Sequence, residues 1–302
     1  MSALNILSKH VENLLKIILA NFFKFFSKVS PTLTTKIAWS FFCTPRVRKK
    51  ALSKLESKLL QQAKQYFINS GDYKIAVYEW ESPSDSSNPG NTILLSHGWG
   101  GHALNFSFII NQLLKDGFHV IAYDSPAHGN SSGKQTTLFN NTQALLKVVK
   151  NSGPIYALIG HSFGNVANAY ALDLCKQETC LSQVEKNILI AGPNKVIDIF
   201  AAFAQEMKLS DKVLDIFHQK VETISQQKIE DLSVVKFLKT YAGQSLLIHD
   251  RNDRIVPYAE AETVAESIAA CVFDTTGNGH FRILAAKSVI QQIIGFLKPL
   301  NS

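Results

Sequence analysis

Five short apolar runs, nearly all followed by a segment of helix length, constrain what this chain can fold into more than any other feature. Residues 92–96, 119–123, 155–159, 187–191 and 245–249 are dominated by Ile, Leu, Val and Ala. Runs this brief and unbroken suit strands buried on both faces of a parallel sheet. Segments of helical length follow at about 104–116, 135–151, 163–177 and 258–269, so the connections are right-handed crossovers. The expected class is α/β, with a doubly wound, mostly parallel sheet. Residues 74–81 read as an edge-type strand, 82–91 as a loop, 272–274 as a last strand and 287–297 as a closing helix. One stretch breaks the alternation. Residues 194–243 are helical in pattern throughout, with Phe200, Phe203, Met207, Val213, Ile216 and Phe217 recurring at three-to-four spacing. That is too long for one crossover and predicts a helical insertion acting as a lid over the strand ends.

Charge divides the chain a second way. Residues 1–66 hold twelve Lys or Arg against two acids, a charge of +10, while the other 236 residues hold nineteen against twenty-two, or −3. The excess of basic groups therefore belongs to the N-terminal segment, and a nucleic-acid-binding body is excluded. Residues 3–29 show a helical period. Asn5, Ser8, Lys9, Glu12, Asn13, Lys16, Lys24, Ser27 and Lys28 lie along one stripe, and Leu4, Leu7, Val11, Leu14, Leu15, Ile18, Phe22, Phe25 and Phe26 lie largely on the other. A basic stripe opposite an apolar face suits a helix lying in a membrane interface. It also suits a helix packed on the body or on a second subunit, and both readings stand open. No uncharged run approaches the roughly 20 residues that span a bilayer, and the start lacks the pattern of a secretory signal. A second basic helix is expected over 47–67. The expected division is a basic helical extension over 1–70 and a main domain over 71–302 carrying the insertion. Cys43, Cys175, Cys180 and Cys271 show neither metal-ligand spacing nor a disulfide framework, which fits idle thiols in a reducing, cytoplasmic setting.

The chemistry concentrates in Gly160-His161-Ser162-Phe163-Gly164, which follows the run 155–159 directly and opens a helical segment. A G-x-S-x-G between strand and helix forms a sharp turn that exposes the serine hydroxyl at the carboxyl edge of the sheet. A neutral hydroxyl is a poor nucleophile and needs a base, itself oriented by a carboxylate. The chain order for such a site is Ser, acid, His, which leaves His218, His249 and His280 as candidates for the base. His280, in the turn 276–280, is the choice. His218, in the helical insertion, reads as a surface histidine, and His249, at a strand end, as one standing behind the site. Asp253, just before Val256-Pro257, is taken as the acid, with Asp250 bracing the turn. A tetrahedral intermediate needs preorganised N–H donors for its oxyanion. The backbone N–H of Phe163 is one, and Trp99, in the glycine-rich loop 97–101, is the expected second. That loop lacks a G-x-G-x-x-G register and a Lys-Ser/Thr pair, so it does not read as a nucleotide cradle.

Taken together, His97-Gly98-Trp99-Gly100-Gly101, Asp124-Ser125-Pro126-Ala127-His128-Gly129-Asn130-Ser131, Gly160–Gly164, Asp253–Pro257 and Gly279-His280 resemble bacterial α/β-hydrolases. The likeness is to small hydrolases and esterases with an HGWGG oxyanion loop, and it covers about residues 74–298. It implies the α/β-hydrolase fold, no metal or organic cofactor, and a structural role for Asp124 and His128. Asn165 departs from it, standing where such turns often carry another glycine.

The resulting expectation is a serine hydrolase with Ser162 as nucleophile, His280 as base and Asp253 as acid. It would cleave an apolar acyl or aromatic ester through an acyl-enzyme. A membrane-associated lipase or lysophospholipase, a thioesterase, and a catalytically silent protein of the same fold are the competing readings. The partner is then a small-molecule ester, with a membrane surface reached through residues 3–29 as a second partner. The expected location is the cytoplasm, with peripheral attachment to the inner membrane face. The oligomeric state stays open.

Overall fold

A computed structural model describes residues 3–46, 51–82, 91–175, 181, 183–268 and 270–298; the side chains of 3–13 are not described. Most of the loop expected over 82–91, and Cys180, lie outside the described residues. The chain forms two compact units. One comprises residues 1–44 and 195–232, the other residues 45–194 and 233–302.

The larger unit is built on an eight-stranded sheet: β1 (Lys64–Ser70), β2 (Tyr73–Trp80), β3 (Thr92–Ser96), β4 (His119–Tyr123), β5 (Ala157–His161), β6 (Lys186–Ile190), β7 (Gln244–Asp250) and β8 (Ala270–Thr275). Their order is β1-β2-β4-β3-β5-β6-β7-β8. The pairs β1/β2 and β2/β4 are antiparallel and all others parallel. The expected class is met, and each apolar run lies in a strand within two residues of its expected bounds. Four of these strands show why the runs are unbroken. Ile93, Leu94, Leu95, Val120, Ile121, Ala157, Leu158, Ile159, Ile188 and Ile190 are all essentially inaccessible to solvent. Neighbours in sequence point to opposite faces of a strand, so both faces must be covered. The covering helices are α4 (Ser107–Lys115), α5 (Leu138–Ser152), α6 (Phe163–Leu174), α10 (Tyr258–Ser267) and α11 (Lys287–Leu297).

Two expectations at the start of the sheet are corrected. The second basic helix is shorter than 47–67: it is α3 (Lys54–Gln62), begun by a capping box between Ser53 and Glu56. The chain then extends into β1, so the sheet begins at Lys64, seven residues before the expected boundary. Consequently β2 is not an edge strand. It lies between β1 and β4, with Ile75, Ala76, Val77 and Tyr78 buried in succession.

The smaller unit is helical: α1 (Ala3–Val29), α2 (Pro31–Phe42), α7 (Val196–Met207), α8 (Asp211–Ser225) and a 3₁₀ turn at Ile229–Asp231. Pro31 takes the first position of α2, where its missing N–H costs no hydrogen bond. The core is aromatic. Phe42 lies 4.9 Å from Phe200 and Trp39 lies 5.4 Å from Phe217, ring centre to ring centre, while Phe23 and Ala38 are wholly buried. Lys16 pairs with Glu206 at 2.7 Å. His218 is half-buried, its ring beside Phe200, and is not the surface histidine expected. The helical stretch 194–243 is thus divided: α7 and α8 belong to the smaller unit, and the short α9 (Val234–Leu238) to the larger. Among the described residues no helix is long and apolar enough to cross a membrane.

Candidate active site

Four strand ends and the loops they release bring the expected site residues together. Ser162 follows β5 with φ 54° and ψ −122°, a backbone conformation that costs a non-glycine residue about 1–3 kcal/mol and persists only when its surroundings impose it. The surroundings here are hydrogen bonds. The Ser162 N–H donates to Ile190 O at 2.9 Å and the Asn165 N–H to Ser162 O at 3.0 Å. The second glycine of the turn is needed for close approach, because a Cβ on Gly164 would lie 2.1 Å from Ser96 O.

The serine hydroxyl is 3.0 Å from His280 Nε2, and His280 Nδ1–H donates to Asp253 Oδ2 at 2.7 Å. Asp253 Oδ1 accepts the N–H groups of Ile255 and Val256 at 2.8 and 3.1 Å. Burial on its own would raise the Asp253 pKa, but the His280 hydrogen bond and these two backbone donors outweigh it and hold the carboxyl below its ordinary value. Asp250 takes the bracing position expected of it. It accepts from the Thr275 hydroxyl at 2.7 Å and from the N–H groups of Asn278 and Asn252, both at 2.9 Å, so it ties the acid loop to the loop that carries His280.

The glycine-rich loop after β3 passes directly beside the nucleophile. A Cβ on Gly98 would stand 2.8 Å from Ser162 Cβ. Trp99 follows, and its ring meets that of Phe163 edge to face at 5.4 Å. Phe163 is the first residue of α6, so its N–H has no carbonyl one turn back in the helix to bond. Two histidines fasten this loop to the one after β4. His97 Nδ1–H donates to Gly98 O at 2.8 Å while its Nε2 accepts the Ser125 N–H at 3.0 Å. His128 Nδ1–H donates to Pro126 O while its Nε2 accepts the Gly100 N–H, both at 2.9 Å. A ring that accepts a backbone N–H must be neutral. Burial in turn pushes the His97 pKa down to about 4 and that of His128 down to about 3. Asp124 organises the β4 loop itself, accepting the Tyr78 hydroxyl at 2.9 Å and the N–H groups of Ala103 and Asn130, both at 2.8 Å.

One residue near the site escaped the sequence reading, and two that it named have roles it did not give. His161, buried beside the nucleophile, donates from Nε2 to the backbone oxygen of His280 at 2.9 Å, and burial lowers its pKa to about 3. His249 donates to Val256 O at 3.0 Å and stands 3.7 Å from Asp253 Oδ2. Its place behind the acid was expected, but its hold on the acid loop was not. Asn165 grips the end of β6, its Nδ2 donating to Ile190 O at 3.0 Å and its Oδ1 accepting the Ile190 N–H at 3.3 Å. For His161 the one available signal was a polar residue inside a motif that needs only its serine and glycines. Among the described residues no group of three or more His, Cys, Asp or Glu is placed to hold a metal ion.

A serine hydroxyl on a strained strand-to-helix turn, linked to a histidine and a buried aspartate at the carboxyl ends of a parallel sheet, defines a class. Residues 93–291 match the model of the alpha/beta hydrolase family, and the chain belongs to that family. Over 219 residues it is 25% identical to the dihydrolipoyllysine-residue acetyltransferase component of the acetoin cleaving system of Cupriavidus necator, covering 62% of this chain and 58% of that one. Over 82 residues it is 38% identical to an acyl transferase of Photorhabdus laumondii, covering 26% of this chain and 27% of that one. The chain thus spans less than two-thirds of the length of either curated relative. An esterase of Pyrococcus furiosus shares the fold with a TM-score of 0.60 at 20% identity, covering 84% of this chain and 96% of that structure.

Proposed function

We propose that the chain is a carboxylic ester hydrolase that works through an acyl-enzyme on Ser162. His280 removes the hydroxyl proton as Oγ attacks the acyl carbon. Asp253 holds the ring in the tautomer that presents Nε2 to the serine and stabilises the imidazolium that forms. The backbone N–H groups of Trp99 and Phe163 receive the oxyanion. His280 returns its proton to the leaving alkoxide, and a water activated by the same ring then releases the acid. The observation that carries this reading is the unbroken relay of two hydrogen bonds, 3.0 Å from serine to histidine and 2.7 Å from histidine to aspartate. A fluorophosphonate probe tests it. Labelling of the folded protein that vanishes in Ser162→Ala supports the proposal, while a folded protein that takes no label sinks it and favours a silent member of the fold. A series of p-nitrophenyl esters of increasing chain length then identifies the acyl group preferred.

Acyl transfer is a second reading, favoured by the names of the two relatives from Cupriavidus and Photorhabdus. Here a thiol or alcohol, not water, takes the acyl group from Ser162. Product analysis with an acyl thioester and a competing acceptor separates the two: free acid alone means hydrolysis, and acylated acceptor formed faster than free acid means transfer.

A further inference from the structure

The helix α1 has two apolar sides, and among the described residues only one of them is packed within its own helical unit. Ala20, Phe23 and Ser27, spaced three and four apart, are buried in the helical unit, with the Phe23 ring 6.3 Å from that of Phe41. On the other side Leu15, Ile18, Phe22, Phe25 and Val29 recur at helical spacing, joined by Leu14. All are exposed, from 38% at Phe22 to 63% at Phe25 and Val29. At 100° per residue these six side chains fall on one stripe running the length of the helix's second half. On α2, Leu33 and Ile37 form a shorter exposed pair one turn apart. An apolar row of this extent is not ordinary solvent-facing surface.

The charges beside it select the occupant. Lys24, Lys28 and Lys36 are exposed, and residues 13–55 contain nine Lys or Arg and no acid. Lysine is depleted in faces that take a protein partner. Glu206, which reaches α1, is already paired with Lys16; large aliphatic and aromatic side chains flanked by lysines are the composition of a helix that lies in the headgroup region of an anionic bilayer, with its apolar side reaching the acyl chains. From this juxtaposition we infer that the exposed stripe of α1 docks the protein onto a bilayer containing anionic phospholipid, while the opposite side of the same helix stays packed in the protein. The helix lies along the surface and does not cross it. The inference does not depend on the reaction catalysed.

The full chain is tested by co-sedimentation with vesicles of phosphatidylcholine alone and with about 30% phosphatidylglycerol. Expected are binding to the anionic vesicles, a fall of at least about tenfold in partitioning for Ile18→Glu/Phe25→Glu, and a loss of most binding for Lys24→Gln/Lys28→Gln/Lys36→Gln or at about 0.5 M salt. Circular dichroism and hydrolysis of a soluble ester verify that the variants fold. Should the double variant not fold, Phe25→Trp gives an independent reading: its added emission should shift to the blue on anionic vesicles and be quenched by brominated acyl chains. Absence of binding to anionic vesicles at low salt overturns the inference, as does equal binding by the double variant or an emission from Phe25→Trp that vesicles leave unchanged. A wild-type dimer that the double variant converts to monomer, with no vesicle binding by either, overturns it in favour of a second copy of the chain.

Discussion

His97 and His128 each spend one ring nitrogen on accepting a backbone N–H, and His161 is buried beside the serine, so three imidazoles near the nucleophile are held neutral. Their folded pKa values of about 4, 3 and 3 lie below the ordinary 6.5. As pH falls through 6.5 the unfolded chain takes up protons that the folded chain refuses. Their stabilising effect is therefore complete above that pH and declines below it until the folded values are reached. Near pH 5 each contributes a loss on the order of 2 kcal/mol, a large part of a typical domain's stability. Urea midpoints measured between pH 7.5 and 5 should drop steeply, and the triple variant His97→Asn/His128→Asn/His161→Asn, though less stable at pH 7.5, should show a flatter profile. Gly98 offers a second test at this scale. Gly98→Ala drives a methyl group to within 2.8 Å of Ser162 Cβ, so kcat/KM should fall by about 100-fold or more with a far smaller change in melting temperature. Unchanged kinetics would remove this loop from the site. The positions of Ser162, Asp253 and His280 were legible because chain order and loop position are sequence properties. The role of His161 was not, since its partner is a backbone atom 119 residues away.

At the scale of elements, the junction of β6 and α6 depends on one side chain. Asn165 binds both backbone groups of Ile190, whose carbonyl also accepts the Ser162 N–H. Removing the amide leaves buried polar groups unpaired at about 1–3 kcal/mol and loosens the strained turn at once. Asn165→Ala should therefore lose both urea stability and kcat; a loss of stability with kcat retained would show that the turn is held without it. The strands of the parallel core were readable because burial on both faces leaves an unmistakable apolar run. β1 was not. Its Lys64-Gln65-Tyr66-Phe67-Ile68-Asn69-Ser70 is mostly exposed, so neither a buried run nor a clean alternation marks it. Only the turn at Gly71, in a left-handed conformation at φ 56°, signals the hairpin that pairs it with β2.

At the scale of the molecule, helices from the start of the chain and from its middle make one aromatic core. The sequence presents these as two separate helical stretches, and no periodicity in either reveals that they belong together; tertiary pairing at that separation leaves no local trace. Phe217 sits at the centre, 1% exposed and in ring contact with Trp39, Phe42, Phe200 and Phe203. Phe217→Ala should cost about 3–5 kcal/mol locally. Amide exchange should then quicken in α1, α2, α7 and α8 together, while the strands of the sheet keep their protection; acceleration confined to α8 would mean that the four helices do not form one cooperative unit.

The shared core also sets an order of events during synthesis. Trp39 and Phe217 are 178 residues apart, so at roughly 5–20 residues per second the ribosome needs about 10–40 s to deliver the second after the first. Throughout that interval the apolar sides of α1 and α2 lack the helices that later cover them. A nascent chain with such a segment has two ways to shelter it, a chaperone or a nearby lipid surface. A stripe that prefers anionic lipid would let the emerging chain settle at its destination before the body has folded.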